Sequence, residues 1–242
     1  MDPIRKLVKN AINEMAVIFS GIDDKVEKIM EDIDNLSYLK DGILNLEDFK
    51  NIGKRHDIEF VDYDTFYREL PDNWKESDIP KAGMLFGLLN TNTGKARLVI
   101  PGGNQKVTDR LLDYIKLVLS HELVHVGQGD RMVSADKGGL LKIYKPVKTV
   151  YDRTVYYSDK NENMAWAKTA VDQFVEKNKD FILKNSGDMK LIFTTFYKSG
   201  GYFGGAKDAL RGERDDAWKK FLKNAYNYMH QKVEWLVERS KK

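Results

Sequence analysis

The sequence predicts a predominantly helical α+β fold in which a small β-sheet precedes one motif-bearing helix. Three observations carry this expectation. Apolar residues recur at helical spacing along much of the chain, two apolar runs flank a polar, glycine-containing turn within residues 83–101, and a capped amphipathic segment follows that pair. The chain has 242 residues, 42% of them apolar, enough for a sizeable core. We expect a single domain over 1–242, with a mainly helical part at 1–80, a hairpin and site-bearing core at 81–177, and a helical part at 178–242.

Each element has its own signal. Ile4, Leu7, Val8, Ala11, Ile12, Met15, Ile18 and Phe19 recur at helical spacing behind a capping Asp2 and Pro3. Gly21 ends that pattern, and "DDKVEKIMEDIDNL" reads as a second helix. Residues 46–80 are mixed, with "IEFVDYDTFYREL" able to form a strand or a short helix. "GMLFGLLNTNTGKARLVIP" is a β-hairpin by pattern, closed by Pro101-Gly102-Gly103. Thr108 then caps a helix whose apolar face is Leu111, Leu112, Ile115, Val118, Leu119, Leu123 and Val126, with Gly127 and Gly129 as stop signals. Residues 130–159 read as a long connection. A helix starts near Asn161 and runs through "ENMAWAKTAVDQFVEKNKDFILK"; "KSGGYFGGAKD" reads as a glycine-rich loop, connector or mobile flap. A last helix over 213–239 carries the stripe Trp218, Phe221, Leu222, Ala225, Met229, Val233 and Leu236.

Composition excludes several classes. Charged residues are 32% of the chain but nearly cancel, leaving +3, which is no electrostatic footprint for nucleic acid or an anionic membrane. No stretch approaches the apolar length of a membrane span, and the N-terminal segment has no continuous apolar run of the signal-peptide kind. There is no cysteine, so any metal must be held by His, Asp or Glu. These features fit a cytoplasmic location.

The motif helix ends in "SHELVHVGQGD". His121 and His125 are four residues apart, so a helix puts both imidazoles on one face, one turn apart. Two such nitrogens can share one zinc ion, and Glu122 beside them is placed to act as general base rather than as ligand: the HExxH arrangement. Gln128 either lines the cleft or is a polar helix end.

A catalytic zinc needs a third protein ligand and an open position. A histidine six residues after His125 is one solution, but that position is Arg131, and the histidines left are His56 and His230. A glutamate on a following helix is the other solution. Glu162 is the next glutamate after Glu122, falls in the first turn of "NENMAWAKTA", and is followed by Ala165, Ala167 and Ala170, small enough for close helix approach. Asp159, His230 and Asp130 are the rival ligands.

"HELVH" together with the downstream "NENMAWA" resembles a zincin, specifically a gluzincin-type zinc metallopeptidase, over about residues 84–177. "HELVHVGQ" paired with "YYSDKNENMAWA" also resembles small phage-encoded metallopeptidases. The resemblance implies a zincin-like fold, Zn2+ held by His121, His125 and Glu162, Glu122 as general base, and a peptide or protein substrate. It also implies an edge strand for substrate, for which the analogous segment is residues 95–100, "KARLVI". One departure stands out. Many gluzincins carry an aspartate four residues after the glutamate ligand, and this chain has Trp166 there. Support for the histidines must then come from elsewhere, such as Asp172 or a backbone carbonyl. For the oxyanion, Tyr156 and Tyr157 lie just upstream of Glu162, with His230 and Tyr202 as alternatives.

The alternative to an enzyme is a zincin-fold structural or assembly protein, for example a virion component, with a vestigial zinc site. The retained Glu122 favours the enzyme. A nucleic-acid-binding module would need a clustered basic face.

Overall fold

The computed structural model describes residues 21–69, 85–90, 93–128, 157–210 and 215–241. The helix expected at 4–19 and most of the connection expected at 130–159 lie outside them. The described residues fall into two compact units, one within 21–128 and one within 157–241. Most elements are helices and the sheets are small, as an α+β chain requires. No described helix is long and apolar enough to cross a membrane.

The first unit opens with helix α1, Ile22–Leu39, whose Val26, Ile29 and Ile33 are buried. A short strand β1, Ile43–Leu44, leads into α2, Leu46–His56. Asn45 and Asp48 form a reciprocal capping box at its start. The ambiguous stretch that follows is strand and helix in turn: β2, Glu59–Asp62, then α3, Tyr63–Arg68. Asp62 makes the switch, because its carboxylate accepts from the Thr65 N–H at 2.8 Å and caps α3.

The hairpin forms as expected. Strand β3, Phe86–Asn90, pairs antiparallel with β4, Lys95–Ile100, with Phe86 opposite Val99 and Asn90 opposite Lys95. Gly94, at φ +67°, lets the turn close with its N–H 2.7 Å from the Asn90 carbonyl. Strand β2 adds on the other side of β4, in parallel, giving the order β2-β4-β3. This corrects the expectation for residues 95–100. They are the central strand, with both edges already paired, and β3 is an edge strand of the described sheet. After β4, β5 (Gln105–Lys106) pairs with β1 in a second, two-stranded sheet.

Side-chain alternation gives the larger sheet two apolar faces. Val61, Phe86, Leu88 and Val99 form one, capped by Phe66 of α3, whose ring meets Phe86 edge-on at 5.0 Å. The opposite face packs on the motif helix α4, Asp109–Gly127, which touches both β3 and β4. On the central strand β4, Arg97 is buried and ion-paired with Glu59 of β2, at 2.6 Å, and with Glu69. Asn90 and Thr93 also donate to Glu59. Burial pushes the Glu59 carboxyl up, but these hydrogen bonds and the Arg97 charge outweigh it and hold the group below its ordinary range.

The second unit is helical. Its elements are α5 (Lys160–Lys177), α6 (Lys179–Lys184), α7 (Met189–Tyr197), α8 (Tyr202–Leu210) and α9 (Asp215–Arg239). The expected helix from Asn161 is thus broken at Asn178. The segment expected as a glycine-rich loop is largely α8, because Phe203, Ala206 and Leu210 fall on one helical face and are all buried. Helix α5 packs along α9, and α8 packs on both. Phe174, Phe196, Phe203, Trp218 and Phe221 form the aromatic core, with Phe196 and Phe203 centroids 4.5 Å apart. Asn163, fully buried, donates to the carbonyls of Tyr157 (2.9 Å) and Ala217 (3.1 Å), which fixes the first turn of α5 within its unit.

Candidate metal centre

Helix α4 is well specified at its start. The Thr108 hydroxyl accepts from the Leu111 N–H at 3.2 Å, and Asp109 lies in the first turn. Its packing on the sheet holds the last two turns, where the motif sits. His121, Glu122 and His125 are all buried there, at 9%, 7% and 5% exposure.

The two imidazoles converge. Their Nε2 atoms are 3.2 Å apart and their planes cross at 75°. Tetrahedral zinc with Zn–N bonds of 2.0–2.1 Å places two ligand nitrogens roughly 3.3–3.4 Å apart. The observed separation is close to the one a shared zinc ion requires. The second nitrogen of His125, Nδ1, lies 3.1 Å from Gln128 Oε1, and Gln128 is itself buried.

Glu122 follows His121 in sequence and points from the helix toward β3. Its side chain lies against the backbone of Gly87: a Cβ at that position would be 2.5 Å from Glu122 Cγ, 2.7 Å from its Oε1 and 2.6 Å from Val118 Cγ1. Sequence reasoning missed Gly87. The signal was a glycine interrupting an apolar strand, which marks a close approach of another group.

The remaining expected residues have these places. Glu162 is half-buried in the first turn of α5, in the second unit. Asp159 is the N-cap of α5: its Oδ1 accepts from the N–H groups of Asn161 (2.9 Å) and Glu162 (3.2 Å). The Tyr157 ring is 5.5 Å from Trp166, and Trp166 is 5.1 Å from Tyr202, so the three aromatics form a row. His230 is exposed on α9 with Nδ1 3.2 Å from Glu234. His56 bonds Asp32 at 2.7 Å, tying α2 to α1. Asp172 takes Lys168 at 2.7 Å and the Tyr228 hydroxyl at 2.8 Å. Tyr156 and Asp130 lie outside the described residues.

Neither a protein-family model, nor a curated protein, nor a solved structure matches this chain. The functional reading therefore rests on the chemistry of its own residues.

Proposed function

We propose that this chain is a zinc-dependent metallopeptidase of the gluzincin type, an endopeptidase acting on a peptide or protein substrate. The observation that carries the reading is the buried pair of Nε2 atoms 3.2 Å apart, with a glutamate adjoining them on the same helix. The donors we assign, from the motif and the next glutamate along the chain, are His121, His125 and Glu162. A zinc ion held by them would supply Lewis acidity, activating water and polarising a peptide carbonyl.

The protein's own part falls to Glu122. Its carboxylate takes a proton from the attacking water and returns it to the leaving amine. Strand β3 supports a substrate role: among the described strands it pairs with β4 alone, so an extended peptide can add along its other side. The same strand places Gly87 against Glu122, so a peptide aligned on β3 runs beside the base. Oxyanion stabilisation we assign to Tyr157 or its neighbour Tyr156, from their position just before Glu162. His230 already has Glu234 as a partner, and we give it no role. A chain without cysteine suits a reducing compartment, and we place it in the cytoplasm.

The test is zinc content per chain by elemental analysis, on wild type beside Glu162→Ala. The expected result is about one zinc in wild type and a clear loss in the variant. Zinc retained by the variant would move the third ligand elsewhere. No zinc in wild type, even after dialysis against the metal, would overturn the enzyme reading and leave a non-catalytic assembly role.

A further inference from the structure

We propose that Gln128 is a positioning residue for His125: its side-chain oxygen fixes the tautomer and ring plane that present Nε2 to the metal. The inference deepens the zinc reading and rests on it.

Gln128 is the C-cap of α4, and its backbone N–H reaches the carbonyls of Val124 and His125, both at 3.1 Å. Capping is thus done by the main chain, which leaves the side chain for other work. A glutamine at a helix end ordinarily extends into water. This one is 4% exposed and turns back so that Oε1 lies 3.1 Å from His125 Nδ1.

That contact has a chemical consequence. A neutral imidazole carries one N–H, and the hydrogen bond made by one nitrogen decides the state of the other. An amide oxygen accepts and cannot donate, so it selects N–H at Nδ1 of His125. The lone pair is then at Nε2, the atom that faces His121 Nε2. The bond also fixes rotation of the ring about its Cβ–Cγ axis, which holds Nε2 in the convergent position. Metal-ligating histidines generally need such a partner. Trp166 stands where an aspartate could have served, and the Asp172 oxygens are held by Lys168 and Tyr228. Gln128 supplies the function from the motif helix itself, three residues past the ligand it serves.

The experiment has two readouts. Nitrogen-15 NMR of the imidazoles in metal-free protein reports the tautomer, and competition with a chromophoric chelator reports zinc affinity. Wild type should show His125 protonated at Nδ1. Gln128→Leu keeps the bulk and removes the acceptor; it should lose that tautomer preference and bind zinc roughly 10–100-fold more weakly. Gln128→Glu restores an acceptor oxygen at the same reach and should recover wild-type affinity or exceed it. Helix capping by the main chain is common to all three proteins, so loss in the leucine variant with rescue by glutamate separates positioning from capping. His125 protonated at Nε2 in wild type would overturn the proposal without any variant. So would a leucine variant with unchanged tautomer and zinc affinity. If wild type binds no zinc, the metal reading fails, and the tautomer comparison still decides what Gln128 does.

Discussion

Glu122 and Gly87 are in contact, carboxylate side chain against strand backbone. A single methyl group at residue 87 would come within 2.7 Å of Glu122 Oε1 and 2.5 Å of its Cγ. Edge strand and motif helix therefore share one surface at the position of the proposed base. The bare backbone at 87 sets where Glu122 can lie.

Gly87→Ala tests this directly. The three atoms nearest the added Cβ belong to Glu122 and Val118, so these side chains must move. Overpacking of this kind costs about 1–3 kcal/mol of stability. Zinc content should hold, because the methyl meets the base and not an imidazole. Turnover should fall by about 10²-fold, the usual cost of misplacing a reacting group by an ångström. A variant that keeps its turnover would show that the Glu122 position is not critical. Zinc analysis and a peptide-cleavage assay on the same preparation give both numbers.

Glu122→Gln separates base from ligand. The amide has nearly the same shape and cannot take a proton, so the variant should keep its zinc and lose activity by about 10²–10⁴-fold. Undiminished cleavage would remove Glu122 from the mechanism. Lost zinc would instead make it part of the metal site.

How much of this was legible beforehand divides along a physical line. The hairpin, the motif helix with its Thr108 cap, and the last helix were readable because their signals are local: turn chemistry, capping and periodicity. The central position of β4 was not, because its parallel pairing with β2 joins residues 38 apart, Glu59 with Arg97, and no local pattern encodes strand order. The glycine-rich segment differs from its loop-like pattern for another reason. Gly204 and Gly205 lower helix propensity, but burial of Phe203, Ala206 and Leu210 against α5 and α9 outweighs it. At the site, helix geometry puts His121 and His125 on one face, one turn apart, which the four-residue spacing displays. The roles of Gly87 and Gln128 depend on tertiary contact and a side-chain rotamer, which a sequence does not display.

Acid should unfold the first unit partly through Glu59. Hydrogen bonds and the Arg97 charge hold its folded pKa below the ordinary value, so it contributes stability above the unfolded pKa of about 4.3. That contribution is lost as pH falls through the depressed folded value. Arg97→Met removes the guanidinium while keeping apolar bulk. The Glu59 pKa should rise, and the acid midpoint should move to higher pH. Stability at neutral pH should drop by about 2 kcal/mol, below the range for fully buried pairs because both carboxylates retain some exposure. Circular dichroism against pH checks this, and an unmoved acid transition would show that Arg97 does not set the Glu59 pKa.

In the second unit the comparable group is Lys168. Its side chain is fully buried, 2.7 Å from Asp172, with Nζ 4.5 Å from the centre of the Tyr228 ring. Tyr228 itself donates to the other Asp172 oxygen at 2.8 Å, and Lys232 approaches that oxygen at 3.4 Å. Asp172 is therefore the anion on which two lysines and a phenol converge. Asp172→Ala leaves the buried ammonium without this carboxylate and should cost about 3–5 kcal/mol. Lys168→Met in the same background removes the charge that Asp172 served. The double variant should then be more stable than Asp172→Ala alone, with a coupling of about 1–3 kcal/mol. Urea unfolding of the four proteins in the cycle measures it. Strict additivity would mean that Lys168 draws its stabilisation from partners other than Asp172.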